Sequence, residues 1–400
     1  WLLRMWDDRT RTLYYQVGIG SGNRDTVSDH DIWRLPQEDD TYGGSDPAFR
    51  YIRHRPVFRA GAPESLISPN LAGRDAAAFA LCWQIYSESD PSLAARCLKA
   101  GEHIFDLANT HPHGRLLTVI PFGFYPESEW RDDLELGATE LALALSSSAK
   151  VPHGLPHVTP SYYLGRAAEW AHAYIKRSAR RGSDTLNLYD VSGLAHFELI
   201  RALRAAGEQQ GLAVDESELL ADLHSELSAA DAQAGRDPFG FGFPWAAADT
   251  TSHGAGMAVM AAEYDQLTGT ETYSTQEATW LANVLGANAW GTSLIIGDGS
   301  VYPNCPQHQV ANIVGSLDGT GTILAGGAVE GPSDETSSGE VGGMRACPPG
   351  GGDAFARFDN SAVYEDEVQS YTTVEPAIDL TASSFLAFAW QVEGAHSVGG

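Results

Sequence analysis

The segment YEDEVQSYTTVEPAIDLTA, residues 364–382, places Asp366 and Glu375 nine positions apart and then runs into an apolar stretch. Pro376 suits the first position of a helix, where its missing N–H costs nothing. It also forces Glu375 into extended backbone. Ala377, Ile378, Leu380, Ala382, Phe385, Leu386, Phe388 and Trp390 are apolar on nearly every side, which predicts a deeply buried helix. A carboxylate is thus expected at the mouth of a buried helix, with a second acid nearby. Two carboxyl groups in different environments are the minimum equipment for acid–base cleavage of a glycosidic bond.

Working outward, helical periodicity recurs at 71–87, 92–109, 133–145, 161–180, 190–206, 217–234, 251–267 and 275–289. Asp90-Pro91 separates the first two. Strand alternation is scarce, and no heptad or clear internal repeat occurs. Long amphipathic helices joined by loops predict an all-α chain, a toroid of divergent helical hairpins. The chain opens WLLRMW as if already inside a helix, without an initiating Met or a signal peptide, and reads as a fragment or a processed form. The glycine runs at 18–22 and 297–299 do not sit in a βαβ unit, so a nucleotide loop is rejected. Residues 328–353 are too long for a plain connector and read as a functional or mobile loop.

Four hundred residues with 43% hydrophobic content can bury a large core. The net charge of −27 argues against nucleic acid and against an anionic membrane surface, and is compatible with a neutral sugar. No apolar run is long enough for a membrane span. The four cysteines, Cys82, Cys97, Cys305 and Cys347, contain no CxxC pair, which argues against zinc. Cys82 and Cys97 read either as buried thiols or as a disulfide between successive helices.

Tyr364, Asp366, Tyr371, Glu375 and Ala377 resemble the C-terminal signature of glycoside hydrolase family 9, the inverting cellulases. Val374 and Thr381 stand where that family usually has Asn. Other blocks follow in the family's order. Leu285-Gly286-Ala287-Asn288 and Gly291-Thr292-Ser293 precede Pro306-Gln307-His308-Gln309, an altered form of the family's Pro-His-His-Arg. Asp237-Pro238-Phe239-Gly240 with Phe243-Pro244-Trp245 resembles its aromatic sugar-stacking region, and residues 325–332 resemble its GALVGGP loop. The resemblance covers most of the chain. It implies an (α/α)6 barrel, here a single domain over 1–400 lacking an N-terminal portion, with long loops forming a substrate cleft and secretion from the cell.

It also implies roles. Glu375 would be the general acid and Asp366 a supporting acid; independently of the resemblance, an ionised Asp366 close by is expected to raise the proton affinity of Glu375 by like-charge repulsion. His308, Gln307, Gln309, Trp245 and Tyr371 would bind sugar, and Trp33, in the acidic loop DHDIWRLPQEDD, would join them. The expected reaction is inverting hydrolysis of β-1,4-glucosidic bonds in a β-glucan polysaccharide or oligosaccharide, with no cofactor required. The catalytic base, which the family carries in an Asp-Ala-Gly-Asp motif, has no counterpart here and is expected upstream of Trp1; an acid of Asp29-His30-Asp31 is the substitute reading. The family's calcium segment corresponds to Ser192-Gly193-Leu194-Ala195-His196-Phe197, where His and Phe replace hard oxygen ligands, so calcium is not predicted there. Asp132 and Asp133, or Asp39 and Asp40, are the other places for it and read as solvated charge clusters. The competing readings are an exo-acting β-glucosidase or glucosaminidase, towards which the Gln substitutions point, and a non-catalytic sugar-binding protein on the same fold. A helical interaction scaffold leaves the aromatic and acidic blocks unexplained.

Overall fold

The computed structural model describes residues 1–397 except 21, 23, 24, 29, 148, 183, 208–210, 315–322, 337, 338, 351–354, 359 and 360. Parts of the glycine run at 18–22 and of the 328–353 loop, together with Asp29, therefore lie outside the described residues. The chain divides into two compact units. One comprises Trp1–Gly20, Arg55–Ser183 and Tyr189–Leu223; the other comprises Ser21–His54, Asp184–Leu188 and His224–Gly400.

The first unit is built on the helices Pro69–Tyr86, Pro91–Asp106, Arg131–Ser146, Pro160–Arg181 and Ser192–Ala206. Three of them open on proline, and Asp90 caps one by accepting from the Leu93 N–H at 3.0 Å. Helix Arg131–Ser146 is buried on almost every side. It approaches Pro69–Tyr86 so closely that a Cβ on Gly73 would lie 2.2 Å from the Asp133 carbonyl oxygen. Glycine is the residue that permits such backbone contact. Ahead of these helices stands a small antiparallel sheet of Trp6–Asp7, Thr12–Val17 and Val57–Arg59, with Trp6 opposite Leu13 and Tyr14 opposite Arg59. The alternation in TLYYQV is too short to have been read as a strand, and only Leu2–Met5 of the opening segment is helical.

Asp132 and Asp133 are not solvated: both are fully buried. Arg74 bonds Asp133 through Nε and Glu127 through Nη2, each at 2.5 Å, and the Val191 N–H donates to Asp132 at 2.8 Å. The guanidinium and the helix N-terminus supply the positive field that makes this burial tolerable. Asp39 is likewise buried, paired with Arg34 at 2.9 Å, while Asp40 is exposed. At the segment compared with a calcium site, His196 is fully buried, 2.7 Å from Glu135 and 3.3 Å from Asp222.

In the second unit the helix Thr250–Thr268 is the buried core element; a Cβ on Gly256 would meet the Leu186 carbonyl oxygen at 1.7 Å. Helix Ser274–Val284 packs with it and stops short of 289, because Gly286 turns with φ +115° and the Asn288 amide bonds the Asn283 carbonyl at 2.8 Å. The final helix, Ile378–Ser397, departs from the deep burial expected of it. Leu380, Ser384 and Ala387 are buried, but Ile378 is 91% and Phe385 73% exposed. The stripe at 380, 384 and 387 faces Thr250–Thr268, where Ser383 and Ser252 hydroxyls meet at 3.1 Å. Apolar composition all round did not define which face would pack. The cysteines form two disulfides, Cys82–Cys97 and Cys305–Cys347. Among the described residues no helix is long and apolar enough to cross a membrane.

Candidate active site

A short helical turn, Tyr371–Val374, delivers the chain to Glu375, which is extended at φ −73°, ψ 120° as the following proline requires. Residues 328–331 run alongside it. The Glu330 N–H donates to the Glu375 carbonyl at 3.0 Å and the Gly331 N–H to Thr373 at 3.1 Å. Val329 bridges Pro376, and the Ala328 N–H donates to the Thr381 hydroxyl at 3.1 Å. On the other side the Gln307 N–H donates to the Val374 carbonyl at 3.0 Å. The backbone that carries Glu375 is thus bonded on both sides. Gly331 has φ +91°, and a Cβ there would fall 2.4 Å from the Thr250 hydroxyl, so only glycine fits.

Burial, reinforced by the charge of Asp379 one helical turn on, pushes the Glu375 carboxyl up to about 7. Desolvation therefore outweighs the helix N-terminus, which favours the ionised form. Asp366, expected to supply the repelling charge, is engaged differently. Its carboxylate accepts from the Asn304 N–H at 2.8 and 3.0 Å and from the Cys305 N–H at 2.7 Å. It thereby anchors the stretch leading to Gln307, while Asp379 is the charge acting on Glu375.

Gln307 is committed through Nε2 to the Gly339 carbonyl at 3.1 Å, and Tyr371, 43% exposed, lies against the same glycine. Burial pushes the His308 imidazole down, and its Nδ1 accepts from the Ala311 N–H at 3.4 Å. Gln309 begins the helix Gln309–Val314. The two tryptophans expected as open sugar platforms are corrected by their burial. Trp245 is 5% exposed and stacked on Phe241 at 4.0 Å; Trp33 is 8% exposed and packed against Cys305, Cys347 and Val368. Both rings are taken up by protein contacts, Trp33 bracing the disulfide next to Gln307. Asp31 is a loop staple, accepting from the Ser28 N–H at 2.6 Å and the Gly22 N–H at 2.8 Å.

Three acids of this neighbourhood escaped the sequence reading: Asp379 and Glu330 beside Glu375, and Asp249, which acts on Glu330. Asp379 was signalled only by its four-residue spacing. Glu330 and Asp249 are distant in sequence; burial, together with the charges of Asp249, Glu375 and Asp379, holds the Glu330 proton well above the usual carboxylate range. Among the described residues no group of three or more His, Cys, Asp or Glu side chains is placed to hold a metal ion.

The model describing glycosyl hydrolase family 9 matches residues 1–388. Endoglucanase 19 of Oryza sativa subsp. japonica is 30% identical over 133 residues, which is 32% of this chain and 21% of the plant protein. Among solved structures, the cellulase Cel9M of C. cellulolyticum in complex with cellobiose matches 98% of this chain and 76% of its own, with TM-score 0.65 at 20% identity. A single mutant of the thermostable endoglucanase from Alicyclobacillus acidocaldarius matches 98% of this chain and 63% of its own, with TM-score 0.62 at 19% identity. The chain thus spans about a fifth of the plant protein and under two thirds of the Alicyclobacillus chain. The structural likeness carries the fold, and the expected all-α (α/α)6 class is the one these relatives share.

Proposed function

The chain belongs to glycosyl hydrolase family 9, and from that premise we propose that it hydrolyses β-1,4-glucosidic bonds in cellulose or related β-glucans with inversion, Glu375 donating the proton. The observation that carries this reading is the Glu375 carboxyl, held on a doubly bonded backbone with its proton affinity near neutrality. Such a group is protonated at mildly acidic pH yet able to release its proton as the bond breaks.

In the reaction, Glu375 gives its proton to the glycosidic oxygen while the C1–O bond lengthens and the sugar acquires oxocarbenium character. Inversion requires a carboxylate on the opposite face to remove a proton from the water that attacks C1. Inverting sites separate the two carboxyls by roughly 6.5–9.5 Å to admit that water. Asp366 acts on placement: it fixes the turn at 304–305 that carries Gln307 against Val374. The Gln307 and Gln309 amides and the His308 ring offer neutral hydrogen-bonding groups to sugar hydroxyls. A neutral glucan also meets no repulsion from a chain of net charge −27. The two disulfides favour an oxidising, extracellular setting.

The test is a soluble cello-oligosaccharide series followed by NMR, which reads turnover, product size and the configuration of the fresh reducing end. Glu375→Gln should lower turnover by about 10²–10⁴ while binding measured by calorimetry persists. Turnover unaffected by Glu375→Gln, or retention of configuration, would overturn the proposal.

A further inference from the structure

In the first unit, the end of helix Pro91–Asp106 and the start of helix Pro160–Arg181 line a cavity of about 120 Å³. Leu134, Phe105 and Tyr163, all buried, form its inner wall. The rings of His157, Tyr162 and Trp170 stand towards solvent. Each ring is held by another. His157 stacks on Tyr162 at 3.6 Å, Tyr162 meets Tyr163 edge-on at 5.1 Å, and Phe105 meets Tyr163 at 5.7 Å. Trp170 packs edge-on with Trp130 at 5.2 Å. The walls are therefore fixed before any ligand arrives. Three polar groups of the lining residues have no hydrogen-bond partner among the described residues: the Tyr162 hydroxyl, the Trp170 indole N–H and Asp106 Oδ1. The other Asp106 oxygen accepts from Arg11 at 3.0 Å.

We propose that this cavity is a second sugar-binding site, apart from the Glu375 segment, and that it takes a single hexopyranose ring. The charges at its mouth select for a neutral ligand. The Arg166 guanidinium lies over the Trp170 ring, 5.4 Å from its centroid, and pairs with Glu169. A cationic ligand would meet that guanidinium on the ring face it needs, and an anionic one would meet Asp106. A pyranose is repelled by neither. Its C–H face suits the flat faces of Tyr162 and Trp170. Its hydroxyls both donate and accept, so they serve Asp106 Oδ1, the Trp170 N–H and the Tyr162 hydroxyl together. The volume sets the limit on length. A cavity of about 150 Å³ takes up one benzene ring, so this one admits a single ring, and a longer β-glucan would insert only its terminal residue. All the lining residues belong to the first unit and Glu375 to the second, so the site serves to hold sugar and takes no part in bond cleavage.

The measurement is the indole ¹H–¹⁵N resonance of Trp170 on the full chain, identified by its loss in Trp170→Phe and followed during titration with glucose, cellobiose and choline. Glucose and cellobiose should each shift it saturably, with Kd on the order of millimolar. Tyr162→Ala should weaken this binding about tenfold, and Tyr162→Phe, which keeps the ring and loses the hydroxyl, should weaken it less. Tyr162 is 38% exposed, so the alanine leaves no buried hole, and circular dichroism of each variant confirms the folded state. A Trp170 resonance unmoved by both sugars up to about 50 mM, one shifted equally in Tyr162→Ala, or one shifted by choline in place of the sugars would overturn the proposal. Only binding at Trp170 is read, so the result stands whether or not Glu375 is the proton donor.

Discussion

Glu375 sits where two influences oppose one another. The helix that follows it favours a carboxylate, but burial and Asp379 favour the acid, and the carboxyl settles at about 7. Burial is the larger cause and Asp379 the adjustable one. Asp379→Asn should therefore move the alkaline limb of the kcat/KM profile to lower pH, by roughly half to one unit. An unmoved limb would leave burial as the sole cause. Asp366→Asn should leave that limb in place. It should instead weaken the turn at 304–305, visible as a raised KM, since its carboxylate is spent on the Asn304 and Cys305 N–H groups. At this scale the sequence made Glu375 and its extended backbone legible through Pro376. It did not make the identity of its charged neighbour legible. Asp366 and Asp379 are equally plausible in one dimension, and only the folded backbone distinguishes them.

At the level of elements, the segment Tyr371–Val374 and the residues after it are held by the strip 328–331. Gly331→Ala would force a Cβ into the Thr250 hydroxyl at positive φ. It should cost about 2–4 kcal/mol of stability, read from urea unfolding, and lower turnover by displacing Glu375. The Cys305–Cys347 disulfide closes a separation of 42 residues next to Gln307. Cys305→Ser should lower stability by about 2–4 kcal/mol, measured in the same way. Most helices were readable because their starts carry Pro or Asp and their apolar positions repeat at helical spacing. The final helix was readable as a helix but not in its exposure. Its residues are apolar on several faces, so periodicity could not name the face that meets Thr250–Thr268.

For the whole molecule, an excess of acids is partly carried inside. Burial pushes Glu102, Glu140 and Glu375 each up to about 7 from 4.5. These carboxyls bind protons more tightly folded than unfolded. Their stabilising contribution is therefore full below about 4.5 and is lost as pH rises through about 7. His196 acts in the same sense, because Glu135 and Asp222 raise its proton affinity against the cost of burial. Its contribution is complete below the ordinary histidine range and fades as pH climbs through the raised value. The unfolding temperature should thus fall between pH ~5 and pH ~8 by several degrees. A midpoint rising over that interval in calorimetry would contradict the buried acids as the controlling groups.

By itself the sequence determined the helical class, most helix positions and the family, and it singled out Glu375 as the proposed proton donor. These depend on local spacing, on proline geometry and on motifs that lie within a few residues of one another. Tertiary structure alone decided that Asp132 and Asp133 are buried beside Arg74, that Trp33 and Trp245 are packed inside, and that Glu330 lies alongside Glu375. Burial and proton affinity are set by partners far away in the chain, and no local spacing encodes which partners the packing will bring.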